Sequence, residues 1–154
     1  VGHMFRDRVA KSPDRDAFLY PDGEDWPALS WAQTKDRAYA LAAGLIDLGV
    51  QPEERVALAS STRVEWVLSD LAVMCAGAAT TTIYTTMLSE DVSFVVTDSD
   101  SRVVIAEDMA QVEKVLEHRD RLGGVAKIVV IDGEFRNGAC GEAGGEVAAR
   151  FQSV

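Results

Sequence analysis

The stretch Arg55-Val-Ala-Leu-Ala-Ser-Ser-Thr-Arg-Val-Glu-Trp-Val-Leu-Ser-Asp-Leu-Ala-Val-Met-Cys-Ala-Gly-Ala-Ala-Thr-Thr-Thr-Ile83 decides the fold. It opens and closes on short runs, Arg55 to Ala59 and Ala79 to Ile83, that lack the apolar/polar alternation of a half-exposed strand. Between them Thr62-x-x-Glu65 reads as a capping box opening a helix that closes near Gly77. The unit repeats downstream. Arg102-Val-Val-Ile-Ala106 and Ala126-Lys-Ile-Val-Val-Ile131 are two further buried runs, and the four starts lie 24, 23 and 24 residues apart. Ser89 with Glu90 and Asp91 opens the next helix, and Asp108-x-x-Gln111 opens another that closes at Gly123-Gly124. Strands without alternation, joined by helices, predict an α/β fold: right-handed βαβ crossovers building a parallel sheet covered by helices on both faces. A leucine-rich solenoid shares this period, but its Leu-x-x-Leu-x-Leu signature is missing.

Upstream, Ser12-Pro-Asp14, Ala17-Phe-Leu-Tyr20 and Pro21-Asp-Gly23 predict a short helix, a strand and a turn. In Leu29-Ser30-Trp31-Ala32-Gln33 an N-cap serine precedes a glutamine by three residues. Ala38, Leu41, Ala42, Leu45 and Leu48 then recur at steps of three and four, and Gly49 tolerates a left-handed cap, which predicts a helix over 31–48. Downstream of Asp132 the composition changes, since five of the twelve glycines fall at 133–145. We divide the chain into a partial α/β subdomain at 1–132 and a Gly-rich loop and end at 133–154, with a short helix over 146–151.

The length of 154 residues suits one domain with one core. Hydrophobic residues make up 47% and charged residues 26%, which argues against disorder. The formal charge of −10 repels phosphate backbones, so nucleic acid is not an expected partner. Cys75 and Cys140 form no Cys-x-x-Cys pair and the histidines, His3 and His118, stand far apart, so no metal site is expected. Cys75 sits in the apolar run Leu71 to Ala76 and reads as a buried thiol, with a reactive nucleophile as the alternative. The N-terminus lacks an apolar signal segment and no run approaches the roughly 20 residues that span a bilayer, so a cytoplasmic protein without a transmembrane segment is expected.

Parallel sheets bind ligands beyond the carboxyl ends of their strands, which singles out three loops. Ser60, Ser61, Thr62 and Arg63 bring hydroxyls, helix amides and a cation together; they read either as an anion site or as plain helix capping. Tyr84, Thr85 and Thr86 place an aromatic ring and hydroxyls where a substrate could lie, or satisfy turn donors. Gly133-x-x-x-x-Gly138 imitates a phosphate loop, but Ala139 and Cys140 stand where lysine and Ser/Thr are required. No nucleophile elbow or His-Glu-x-x-His occurs. His118 lies in the charged run Glu117 to Asp120, Glu65 reads as a cap rather than a general acid, and Trp31 and Trp66 read as packing residues. No catalytic residue is assigned in this chain.

From Leu29 to Glu107 the sequence resembles the beginning of an adenylate-forming enzyme, a long-chain acyl-CoA synthetase of the AMP-binding superfamily. Leu29-Ser-Trp-Ala-Gln33 with the helix to Gly49 resembles the family's first core motif, and Glu54-Arg-Val-Ala-Leu58 the strand after it. Arg63-Val-Glu-Trp66 with Asp70 and Ala72 resembles a helix typical of the long-chain branch. Cys75-Ala-Gly-Ala78 resembles the second core motif, and Ile83-Tyr84-x-Thr86 ahead of Asp98-Ser99 the segment following it. Where the family usually has proline before the tyrosine and often another after it, this chain has Thr82 and Thr85; where it has asparagine before the arginine, Thr62 stands. The resemblance implies a parent enzyme that uses ATP, Mg2+ and CoA to adenylate a fatty acid and then form its thioester. It also implies that the lysine-bearing phosphate loop, the ribose-binding aspartate and the C-terminal domain's lysine lie beyond this stretch. The four lysines, Lys11, Lys35, Lys114 and Lys127, occupy no glycine-serine loop. The chain is therefore expected to bind no cofactor and to lack adenylating activity alone. Two other readings stand beside this one: a small Rossmann-like module binding a nucleotide or acyl group at Ser60 to Arg63, and a non-catalytic domain that forms a homo-oligomer through exposed sheet surface.

Overall fold

The computed structural model describes residues 2–132. The Gly-rich segment, the Gly133/Gly138 pair, Cys140 and the helix expected at 146–151 lie outside them. Instead of the single core expected from length, the described residues separate into two compact units, one of residues 2–52 and 62–78 and the other of 53–61 and 79–132.

The first unit contains α1 (Gly2–Lys11), β1 (Asp16–Leu19), β2 (Ala28–Ser30), α2 (Trp31–Asp47) and α3 (Val64–Cys75). β1 and β2 form an antiparallel hairpin. α2 begins as expected: Ser30 Oγ accepts from the Gln33 amide at 3.2 Å and Gln33 Oε1 accepts from the Ser30 amide at 2.9 Å. It ends in a Schellman motif, in which Gly49 N–H donates to Ile46 O and Val50 N–H to Leu45 O. Gly49 holds φ 95°, a conformation that strains a residue bearing Cβ. α3 ends identically around Gly77, at φ 82°. Phe5, Val9 and Ala38 form one buried cluster with Trp31, Leu71 and Cys75 against it, while Leu29, Val64 and Leu68 form another with Tyr20 and Leu41. The expected stripe of α2 thus faces inward at Ala38, Ala42 and Leu45. Trp31 packs as expected: its ring lies 6.3 Å from Phe5 and 6.0 Å from Phe18, with the Arg8 guanidinium 5.0 Å above it.

The second unit holds β3 (Arg55–Ala59), β4 (Ala79–Ile83), α4 (Ser89–Asp98), β5 (Ser101–Ala106), α5 (Met109–Glu117) and β6 (Lys127–Val130). The four strands form one parallel sheet in the order β4-β3-β5-β6. Ala57, Ala59, Val104, Ala106, Ile128 and Val130 present one face to Val92 and Val96 of α4 and to Val112 and Val115 of α5. The residues of opposite parity, Val56, Leu58, Val103 and Ile105, are equally buried. Burial on both faces is why the interiors of β3 and β5 read as uninterrupted apolar runs, while β4, expected as a buried strand, buries only Ile83. Each fully buried Val or Leu contributes about 1.5–3 kcal/mol relative to exposure.

Two helix boundaries differ from expectation. α3 starts one residue late, with Arg63 rather than Thr62 at the N-cap and no side-chain cap bond. α5 is capped by Asp108, whose Oδ1 accepts from the Gln111 amide at 3.0 Å, but it ends at Glu117 instead of Gly123. The chain then makes a 3-10 turn at Arg119–Arg121 that buries Leu122.

Candidate functional site

β3 and β5 are neighbours, yet the chain leaves β3 toward β4 on one side and leaves β5 toward β6 on the other. Between their carboxyl ends lies the topological switch point, the usual place for a ligand in an open parallel sheet. In register, Ala59 faces Ala106, so the next residues of each strand, Ser60, Ser61 and Glu107, converge there. Glu107 N–H donates to Ala59 O at 2.8 Å and Asp132 N–H donates to Glu107 O at 2.7 Å, which ties the ends of β3, β5 and β6 together. The Glu107 carboxylate then reaches Ser61: Oε2 accepts from the Ser61 amide at 2.6 Å and Oε1 from the Ser61 hydroxyl at 2.8 Å. Both bonds are short and charge-assisted. The buried Ser60 hydroxyl turns inward to donate to Ser61 O at 3.1 Å.

The expected anion-site residues 60–63 are divided between the two units. Ser60 and Ser61 belong to the sheet unit and present their donors to the chain's own carboxylate and carbonyl. Thr62 and Arg63 belong to the first unit, where Arg63 Nε lies 2.6 Å from Glu65 Oε2. Glu65, expected as the third residue of a capping box, serves as that ion-pair partner instead. Sequence reasoning missed Glu107; its signal was its place one residue past a buried run, directly before the Asp108 cap.

The loop after β4 has a different character. The Tyr84 ring is 75% exposed and Leu88 72%, while the Met87 amide closes a turn by donating to Tyr84 O at 3.0 Å. Thr85 is half-buried and Thr86 exposed. The Lys114 ammonium, projecting from α5, donates to Thr85 O and pins the loop to the rest of the sheet unit. The expected site residues Tyr84, Thr85 and Thr86 thus share one loop beyond the sheet's carboxyl edge, with an aromatic ring open to solvent. Among the described residues no three His, Cys, Asp or Glu side chains gather to hold a metal ion. No helix there is long and apolar enough to cross a membrane. The Ser60 hydroxyl and the Ser61 amide and hydroxyl, engaged by the chain's own oxygens, are not open to the phosphates of a nucleotide. His118 sits at the C-terminal cap of α5 within its charged run, and burial raises the Cys75 thiol above its ordinary range, unlike an activated nucleophile.

Residues 5–150 match the family model described as AMP-binding enzyme. A long-chain-fatty-acid–CoA ligase of Mycobacterium bovis, FadD15, is 35% identical over 112 residues, which is 73% of this chain and 19% of that protein. Among solved structures, a Mycobacterium tuberculosis fatty acyl CoA synthetase superposes with a TM-score of 0.76 at 29% identity, covering 84% of this chain and 26% of that one. The N-terminal domain of FACL13 from Mycobacterium tuberculosis does so with the same TM-score and identity, over 84% of this chain and 33% of that one. The chain spans about a fifth of the length of the long-chain-fatty-acid–CoA ligases it matches.

Proposed function

The chain belongs to the AMP-binding enzyme family, and on that premise we propose that it is part of the large amino-terminal domain of a long-chain fatty acid–CoA ligase. The whole enzyme joins a fatty carboxylate to AMP at the expense of ATP, releasing pyrophosphate, and then passes the acyl group to the thiol of CoA, releasing AMP. The observation that carries this reading is agreement at two levels. The likeness in sequence falls on long-chain ligases, and the parallel sheet with its flanking helices superposes on fatty acyl synthetases. Within that enzyme these residues supply sheet scaffold and, at Tyr84, Thr85 and Thr86, one wall near the substrate. The exposed ring and the pinned Thr85 carbonyl support that placement. The Arg-rich, Lys-poor composition supports a GC-rich, bacterial source.

ATP, Mg2+ and CoA are then requirements of the whole enzyme rather than ligands of this chain. Purified chain mixed with ATP, magnesium and palmitate is expected to yield no acyl-AMP and no pyrophosphate above background, read by mass spectrometry. Acyl-AMP from the chain alone would overturn its assignment as non-catalytic. The protein that carries this segment, given CoA as well, is expected to form palmitoyl-CoA; a product from an aryl acid but none from palmitate would overturn the long-chain assignment. Among the described residues the edges at β4 and β6 each pair on one side only, which favours a homo-oligomer of the chain when alone. Light scattering at the mass of one chain across concentrations would exclude it.

A further inference from the structure

Ligands of open parallel sheets are held at the switch point by backbone amides and hydroxyls at the strand ends. In this chain that geometry is present and already filled. The Ser61 amide and hydroxyl face the two oxygens of one carboxylate, at 2.6 and 2.8 Å, as such a pair holds a bound anion. The carboxylate arrives from Glu107, 46 residues away in sequence and adjacent only because β3 and β5 pair. Its backbone is itself fixed, by Ala59 O on one side and the Asp132 amide on the other. Ser61 is exposed and Glu107 half-buried, so the pair faces solvent and an anion from solution has access to the same donors.

We propose that Glu107 is a built-in ligand of the switch-point crevice: an autoinhibitory contact that closes a carboxylate-binding site formed by Ser61. Intramolecular attachment gives the Glu107 carboxylate an effective concentration that a free small carboxylate does not match. The wild-type crevice accordingly rejects small anions, and the site exists for one only when the Glu107 carboxylate is removed or withdrawn. The inference rests on this sheet's geometry and not on the ligase reading, and it stands or falls separately.

The test is titration of the 15N-labelled chain with sodium acetate, at ionic strength held constant with chloride, following the Ser61 amide resonance. In the wild type that resonance is expected to stay in place. In Glu107→Ala it is expected to shift and saturate, with acetate bound about tenfold more tightly or better, the factor that roughly one charge-assisted bond supplies. Adding Ser61→Ala to Glu107→Ala removes the hydroxyl and is expected to weaken that response severalfold. Should Glu107→Ala fail to fold, Glu107→Gln replaces it, because the amide keeps the size while removing the charge that repels acetate, and a gain in the same direction, smaller in size, is expected. Equal acetate responses in wild type and variant, or shifts spread over the surface without saturation at Ser61, would overturn the proposal.

Discussion

Cys75 sits half-buried against Phe5, Val9 and Ala38, and the apolar surroundings push its thiol above the ordinary range because they disfavour the thiolate. The folded chain therefore holds this proton more tightly than the unfolded chain does. At pH values between the two pKa values the native state binds more protons, so stability falls as pH rises. The contribution is fully present below the unfolded value, about 8.5, and is lost as pH climbs through the folded one. In a Cys140→Ser background, which leaves one thiol, urea unfolding is expected to show stability declining above about pH 8.5 relative to the same chain with Cys75→Ala. A flat difference across that range would contradict the burial argument. Iodoacetamide at pH 8 is expected to modify native Cys75 at least about tenfold more slowly than the unfolded thiol. The inert reading of this cysteine was available from its apolar neighbours alone, whereas the Glu107 contact was not. The local signal of Glu107, its place just past a buried run and before the Asp108 cap, marks a strand end but names no partner. Its partner is set by strand order, which becomes visible only once β3 and β5 are known to be adjacent.

At the scale of elements, what could be read were the features encoded within a few residues of each other. The Ser30/Gln33 box, the Asp108 cap and the glycines after α2 and α3 are local bargains between a side chain or a φ angle and the nearest turn of helix. β3, β5 and β6 announced themselves because their interiors are buried on both faces and are almost entirely apolar, whereas β4, Ala-Thr-Thr-Thr-Ile, buries only Ile83 and was legible through its β-branched residues. Thr62 misled for a physical reason. Ser60, Ser61 and Thr62 offer three hydroxyls in a row, and the capping residue is whichever takes extended dihedrals immediately before the first helical turn. That residue is Arg63, with φ −146° and ψ 173°, whose side chain goes to Glu65. The end of α5 was misplaced because glycine marks where a chain can turn, not where a helix must stop; the charged run after Glu117 tightens into a 3-10 turn that buries Leu122 first. The contrast gives a paired expectation. Asp108→Ala is expected to cost about 1 kcal/mol in urea unfolding through loss of its bond to Gln111, and Thr62→Ala less than about 0.5 kcal/mol. Equal costs would restore Thr62 as a cap. Similarly, Lys114→Met leaves the Thr85 carbonyl without its ammonium partner, so faster hydrogen exchange at the Met87 amide is expected, with helix α5 exchange unchanged. Unaltered exchange at Met87 would mean that the turn alone holds the loop.

At the scale of the whole molecule the dominant electrostatic fact is imbalance: 25 acidic against 15 basic side chains leave a formal charge of −10. Such an excess opposes compaction through self-repulsion, which dissolved salt screens. Opposing it are ion pairs such as Arg63 with Glu65 at 2.6 Å and Arg102 with Glu54 at 3.5 Å, whose attraction the same salt weakens. Exposed or half-exposed pairs contribute about 0–1 kcal/mol each at most, and their loss in salt is a fraction of that. Repulsion, by contrast, acts between every pair of like charges within a Debye length, which shrinks from about 30 Å at 0.01 M to about 8 Å at 0.15 M salt. With ten uncompensated charges the repulsive sum is the larger, so added sodium chloride is expected to stabilise the chain over that range. A gain of about 1 kcal/mol corresponds to a rise of roughly 2–4 °C in Tm for a chain of this size. A Tm that falls with salt would mean that the ion pairs outweigh the net charge, and their residues would then rank among the determinants of the fold.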